Sequence, residues 1–158
     1  MSALATARSI ITPRRLVRLV AAVLLMAAGG AAGHTVLART TTAASRPVPQ
    51  SAAMESALGV RFSRVAVVAD GGLITVSYVV LDAEKAQRFQ ADTTHPPVLN
   101  SEARQLSTQR VSLMKQGHTL RAGQTYYLVY QNTRGALRSD ELTRINVGSL
   151  ELGHFPVL

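Results

Sequence analysis

Alternating apolar and polar residues predict one strand in the middle of the chain, Leu73–Leu81. Its two faces differ, with Ile74, Val76, Tyr78 and Val80 on one and Thr75 and Ser77 on the other. This period of two predicts an antiparallel strand with one buried face. The preceding segment Val60–Ala69 is rich in β-branched residues, and Asp70-Gly71 can adopt the positive φ angles of a tight turn. The two segments therefore predict a β-hairpin.

The rest of the C-terminal two thirds has the same pattern of short apolar segments and turns. A short helix is predicted over Ala83–Gln90 with Asp82 as its N-cap, and a further turn of helix over Met54–Leu58. Additional strands are predicted at Val98–Leu99, Arg110–Met114, Thr125–Gln131, Leu142–Val147 and Leu150–Val157. We therefore predict an all-β fold, an immunoglobulin-like antiparallel β-sandwich of about seven strands with one short helix. A small barrel is the alternative.

The first forty residues follow a different pattern, in which arginines precede an apolar run from Leu19 to Leu37. A helix over Leu16–Ala38 would be about 34 Å long, enough to cross a hydrocarbon core of about 30 Å. Two export hypotheses stay open, an uncleaved signal anchor and a signal peptide with its cleavage site at Val36-Leu37-Ala38. A buried helix of a soluble domain is the third alternative. Both export hypotheses keep the basic end in the cytoplasm and place the rest of the chain outside it.

These patterns predict four regions. Residues 1–18 form a basic N-terminal segment, residues 19–38 a transmembrane or signal helix, and residues 39–56 a flexible linker rich in Pro, Thr and Ala. Residues 57–158 form an extracytoplasmic β-sandwich domain. The predicted location is the cell membrane, with a single pass, or the outside of the cell if the signal is cleaved.

The formal net charge of +8 is concentrated in the N-terminal segment. Six of the basic residues precede Met54 and no acidic residue does, whereas the remainder carries eleven basic and nine acidic residues. Binding to nucleic acid requires clustered cations on the folded part, because affinity comes from neutralising several phosphates. We therefore predict no nucleic-acid partner. The absence of cysteine excludes disulfides, thiol catalysis and cysteine metal sites.

No catalytic or cofactor signature is found in the sequence. A Gly-x-Ser-x-Gly motif does not occur, and the carboxylates of Asp70, Asp82 and Asp140 are explained by a turn, a helix cap and a loop. The sequence therefore predicts a protein that is not an enzyme and holds no cofactor.

One candidate metal site consists of His95, His118, His154 and Met114. Imidazole and thioether groups suit copper, and these residues fall in loops or strand ends that could meet at one end of a sandwich. The alternative interpretation is that the histidines are ordinary surface residues.

Three segments of the chain are similar to segments of other small β-domain proteins, namely Gly71–Asp82, Lys85-Ala86 and Thr125–Asn132. With them the chain resembles a set of uncharacterised bacterial membrane-anchored or exported small β-domain proteins, a resemblance that brings no known activity. Together with the N-terminal pattern, it leads us to expect a non-catalytic interaction module in the cell envelope. The expected partners are the membrane and an envelope or membrane protein, with contact surfaces at Thr133–Glu141 and His95–Asn100.

Overall fold

A computed structural model of the chain describes residues 46–115, 117 and 119–158. The predicted basic segment 1–18 and the predicted transmembrane or signal helix 19–38 lie outside the described residues, as do residues 39–45 of the predicted linker. Among the residues described, no helix has the length and apolar character needed to span a bilayer.

The described chain has two α-helices and eight strands. The helices are α1 (Ala52–Leu58) and α2 (Ala83–Ala91), and a 3-10 turn covers Thr133–Gly135. The strands are β1 (Val60–Val68), β2 (Leu73–Val80), β3 (Val98–Ser101), β4 (Ser107–Thr108), β5 (Val111–Leu113), β6 (Thr125–Gln131), β7 (Leu142–Val147) and β8 (Leu150–Pro156).

The strands form two four-stranded antiparallel sheets. Sheet 1 has the order β1-β2-β6-β5, and sheet 2 has the order β4-β3-β7-β8. This arrangement is that of a β-sandwich and confirms the predicted all-β class. The two residues after β8 join the two sheets, because Val157 bridges to Val65 in parallel and the Val67 N–H donates to the Leu158 carbonyl over 2.8 Å.

The β1–β2 hairpin is confirmed in the predicted place. Its register runs from Val60 opposite Val80 to Val68 opposite Leu73. The turn contains positive φ angles at Ala69, Asp70 and Gly71, and it is closed by the Gly72 N–H donating to the Ala69 carbonyl. All four residues of the predicted apolar face of β2 are 0% exposed, namely Ile74, Val76, Tyr78 and Val80.

Helix α2 forms where predicted and covers one end of the core. Asp82 caps it, with one carboxylate oxygen accepting the N–H groups of Glu84 and Lys85 over 3.0 Å each. Phe89 packs edge-on against Phe62 and Tyr78, with ring centroids 6.3 and 5.9 Å apart. The helix is therefore tied to the hydrophobic core through one aromatic side chain.

Helix α1 begins inside the segment predicted as linker. The Ser51 hydroxyl caps it by accepting the Met54 N–H, and the Met54 side chain is only 1% exposed within the core. The structure therefore has two helices where one short helix and a turn were predicted. The reason is that one capping hydroxyl and one buried methionine suffice to hold seven residues against the sandwich.

The buried Tyr130 provides a test of this core. Its ring is 0% exposed, and its hydroxyl has no hydrogen-bond partner among the described residues. Burial raises the pKa of Tyr130 far above its ordinary value. Because an unpaired buried hydroxyl costs free energy, Tyr130→Phe is expected to raise the free energy of unfolding by about 1 kcal/mol in urea denaturation.

The matched control is Tyr78→Phe. The Tyr78 hydroxyl accepts a 3.0 Å hydrogen bond from the amide of Gln90, which is 1% exposed. Removing that hydroxyl leaves the Gln90 donor unpaired, so this variant is expected to lose about 1–2 kcal/mol. Equal losses of unfolding free energy in the two variants would contradict the conclusion that the Tyr130 hydroxyl is unpaired and the Tyr78 hydroxyl is paired.

Candidate functional site

A polar groove of about 370 Å³ lies on sheet 2, at the turn between β3 and β4. We call it the sheet 2 groove, and its lining residues are Asn100, Ser101, Glu102, Ala103, Arg104, Gln105 and Arg144. Asn100 and Arg144 point outward because their neighbours Leu99 and Ile145 point into the core. Sheet 2 therefore presents one side of the groove, and the turn Glu102–Gln105 presents the other.

Glu102 and His154 form a hydrogen-bonded pair beside the groove. Glu102 Oε1 accepts the backbone N–H of His154 over 2.7 Å, and Oε2 lies 2.9 Å from His154 Nδ1. The Glu102 side chain is 15% exposed, and its own backbone N–H donates to the Leu142 carbonyl. Both carboxylate oxygens are thus engaged by one residue, which fixes the direction of the imidazole ring.

A β-bulge in β8 makes this contact geometrically possible. The register between β7 and β8 shifts between Thr143 and Ile145, and His154 has a φ angle of 58°. The preceding residue is Gly153, where a Cβ would lie 3.3 Å from Glu102 Oε1. Glycine therefore lets the carboxylate approach the strand, and the bulge turns the ring of His154 toward it.

The exposed side of His154 can bind a partner. With Nδ1 held by the carboxylate, Nε2 faces solvent on a side chain that is 80% exposed. A neutral ring then offers an acceptor at Nε2, and a protonated ring offers a donor. Nε2 has no hydrogen-bond partner in the part of the chain that the structure describes.

A ladder of polar side chains continues from the groove across the outer face of sheet 2. Arg144 Nε lies 3.1 Å from Glu151 Oε1, and the Asn146 amide donates to Glu151 Oε2 over 3.3 Å. The Asn100 amide donates to Asn146 Oδ1 over 2.9 Å. Because Arg144 and Glu151 are about half exposed, this ion pair adds little stability, and its effect is to orient the guanidinium group.

The floor of the groove is an ion pair between Arg104 and Glu141. The contact is bidentate, with Arg104 Nε 2.9 Å from Oε1 and Nη2 2.7 Å from Oε2. Arg104 also donates to the carbonyl oxygens of Gly135 and Ala136, and the Ser101 hydroxyl donates to Glu141. Burial alone would raise the pKa of Glu141, but the hydrogen bond and charge of Arg104 outweigh it and hold that pKa below its ordinary value.

The loop Thr133–Glu141, predicted as a contact surface, is anchored at both ends. Arg104 binds Glu141 at its C-terminal end and the carbonyls of Gly135 and Ala136 nearer its start. A second anchor is the Asn132 side chain, directly before the loop. That side chain donates to the carbonyls of Gly71 and Leu137 over 2.8 and 2.9 Å and accepts the Leu137 N–H. The other predicted contact surface, His95–Asn100, contains the first three residues of β3.

The proposed metal ligands lie in separate surroundings. His95 follows α2, where Asp92 Oδ1 lies 3.0 Å from its Nδ1 and accepts the Thr94 hydroxyl and the His95 N–H. The hydrogen bond from Thr94, followed by that from His95, lowers the pKa of Asp92. Met114 is 3% exposed in the core, and His118 lies outside the described residues.

In the described ranges, no contact joins His95 to His154. Each histidine is instead paired with its own carboxylate, His95 with Asp92 and His154 with Glu102. Residues 46–115, 117 and 119–158 contain no group of three or more His, Cys, Asp or Glu side chains that could hold a metal ion. A copper site formed by His95, His118, His154 and Met114 therefore stays a prediction.

Comparison with protein families, with curated proteins and with solved structures finds no match to this chain. The function is therefore inferred from the groove itself and from the N-terminal sequence.

Proposed function

We propose that this chain is a membrane-tethered, extracytoplasmic β-sandwich that acts as a non-catalytic interaction module in the cell envelope. Its contact surface for an envelope or membrane protein is the sheet 2 groove. The observation that carries this proposal is the fixed orientation of His154 and Arg144, each held by a carboxylate on an exposed sheet. Side chains oriented in advance lose less entropy when a partner binds.

We also infer that the sandwich is of the immunoglobulin-like type. The strand orders β1-β2-β6-β5 and β4-β3-β7-β8 support this, because they correspond to strands A-B-E-D and C′-C-F-G of that fold in chain order. In this correspondence the sheet 2 groove lies at the C–C′ turn. Turns at the ends of such a sandwich are common positions for binding residues.

A binding role for the Glu102–His154 pair is supported by its surroundings. A carboxylate that orients a histidine can also activate a nucleophile, but this requires a hydroxyl or thiol in contact with the ring. In the described part of the chain, His154 contacts Glu102 and no such group. Arg144 and His154 instead offer one cation and one hydrogen-bonding nitrogen to a polar partner.

The membrane tether is supported by the N-terminal sequence. Arg14, Arg15 and Arg18 precede an apolar run long enough to cross a bilayer. A C-terminal reporter fusion that is active only in the cytosol would contradict this placement, as would release of the whole chain from membranes at alkaline pH together with an intact N-terminus.

The groove can be tested by site-specific photo-cross-linking in intact cells. A photoreactive residue replaces Gln105, which is exposed on the groove wall, in the full-length chain. We expect one specific cross-linked protein. The double variant His154→Ala/Arg144→Ala is expected to reduce its yield about tenfold or more, because truncating each contact residue removes about 1 kcal/mol of binding free energy.

Arg88→Ala is the matched control, since Arg88 is an exposed, ion-paired arginine on α2, away from the groove. The control is expected to keep the yield. Cross-linking that is unchanged in the His154 and Arg144 variants would argue against the groove as the contact surface.

A further inference from the structure

A second surface feature lies where the edge of sheet 1 meets the end of sheet 2. It is a cleft of about 120 Å³, which we call the β1–β8 cleft. Its lining residues are Arg46, Val48, Ser63, Arg64, Val65, Phe155, Pro156 and Leu158. The walls are mainly apolar, and both charged side chains of the lining are arginines.

The cleft results from a bulge in β1. The register with β2 shifts between Phe62 and Arg64, so Ser63 has no partner opposite it in the sheet. Beyond the bulge, β1 contacts the segment that follows β8 through the bridge between Val65 and Val157. The cleft opens beside this junction, and the bulge places the side chain of Arg64 on the exposed surface.

The charge of the cleft suits an anionic group. Among the described residues, no carboxylate lies within ion-pair distance of Arg46 or Arg64, whereas Arg61 on the same strand is paired with Glu55 over 2.8 Å. Arginine carries a planar fork of donors that matches phosphate. Val48, which is 40% exposed between two prolines, adds an apolar contact beside the arginines.

The chain length between the cleft and the predicted membrane span is short. Ala38 ends that span and Arg46 lines the cleft, so seven residues lie between them. The eight Cα-to-Cα steps from Ala38 to Arg46 reach about 28 Å at most when fully extended. A tether of this length allows the β1–β8 cleft to reach the headgroups of the bilayer.

We propose that the β1–β8 cleft docks the sandwich on anionic phospholipid headgroups of the membrane that anchors it. Arg46 and Arg64 bind lipid phosphates, and Val48 contacts the apolar part of the interface. This inference rests on the proposed membrane tether. Because each arginine near an anionic surface strengthens binding about fivefold, losing both is expected to weaken docking about 25-fold.

The full-length chain allows a direct test because it contains no cysteine. A single cysteine replaces Val48 and carries an environment-sensitive fluorophore, and the protein is reconstituted in lipid nanodiscs. One set contains phosphatidylcholine alone, and the other contains equal parts of phosphatidylcholine and phosphatidylglycerol. We expect a blue shift of the fluorophore in the anionic discs that is absent in the neutral discs and is reversed by high salt.

The double variant Arg46→Ala/Arg64→Ala is expected to abolish the blue shift. Its control is Arg110→Ala/Lys115→Ala, which removes two exposed cations just before and just after β5, on the opposite edge of sheet 1, and is expected to keep the shift. Circular dichroism checks that both variants fold. An equal shift in neutral and anionic discs, or a shift that persists in the arginine variant, would overturn the proposal.

The same preparation separates this inference from the tether on which it rests. If the chain stays with the disc but the fluorophore does not respond to anionic lipid, the tether stands and the docking proposal fails. If the chain does not stay with the disc, both proposals fail.

Discussion

Replacement of Gly59 by alanine is expected to lower the free energy of unfolding by about 4 kcal/mol, measured by urea denaturation with circular dichroism. Gly59 has a φ angle of 68°, in the left-handed region that costs other residues about 1–2 kcal/mol. In addition, a Cβ at this position would lie 2.6 Å from the Lys85 Cβ and 2.7 Å from the Asp82 carbonyl oxygen. One of these atoms is a backbone oxygen and the other is the first side-chain carbon. Neither can move aside unless the backbone of α2 shifts.

The position is sensitive because Gly59 joins four elements. It ends α1, where its N–H donates to the Glu55 carbonyl, and it immediately precedes β1. Its carbonyl accepts the N–H groups of Leu81 and Asp82 over 2.8 and 3.0 Å, between the end of β2 and the start of α2. A shift at Gly59 would therefore disturb both helices and the hairpin.

Gly123→Ala is the matched control. Gly123 has a similar φ angle of 79°, but a Cβ there would meet no atom within 4 Å. This variant is expected to lose about 1–2 kcal/mol from backbone strain alone. Equal losses at the two glycines would show that the close approach to α2 does not determine the effect.

Local patterns explain why the first hairpin could be predicted from the sequence. The alternation of buried and less buried residues along β2 can be read from successive positions in the sequence. The Asp70-Gly71 turn then fixes the register of β2 with β1. Asp82 could likewise be predicted as a cap because its partners Glu84 and Lys85 are two and three residues away. The two-residue strand β4 was not predicted, because two residues are too few to show an alternation of apolar and polar positions.

The candidate site could not be predicted in the same way. Glu102 and His154 are 52 residues apart, and their contact requires the pairing of β7 with β8 and a bulge at the correct position. The partner of His95, by contrast, is the neighbouring Asp92, so that contact arises from a local turn. Sequence reasoning identified His154 as a candidate residue but missed Glu102 and Arg144, because contacts that depend on sheet register leave no local signal.

The ion pair beneath the groove has the second large expected effect. Arg104→Ala is expected to lower the free energy of unfolding by about 3 kcal/mol at neutral pH, because it leaves Glu141 charged and partly buried and releases two loop carbonyls. Arg104→Lys is expected to lose less, since the charge stays while the bidentate contact is lost. Arg110→Ala, at an exposed arginine, should change stability by less than about 0.5 kcal/mol.

The pH dependence separates this electrostatic cause from a simple loss of packing. In the folded protein the pKa of Glu141 lies below its ordinary value of 4.5, so the stability that the ion pair contributes is present above pH 4.5 and is lost as the pH falls through the lowered pKa. Without Arg104, the hydrogen bond and the charge that lower this pKa are lost while burial still raises it, so the pKa of Glu141 is higher than in the native protein and protonation relieves the buried charge more readily. The stability difference between the native protein and Arg104→Ala should therefore shrink in acid, measured by urea denaturation above and below pH 4.5. A difference that stays constant across this range would show that Arg104 stabilises the loop through its backbone hydrogen bonds and packing rather than through Glu141.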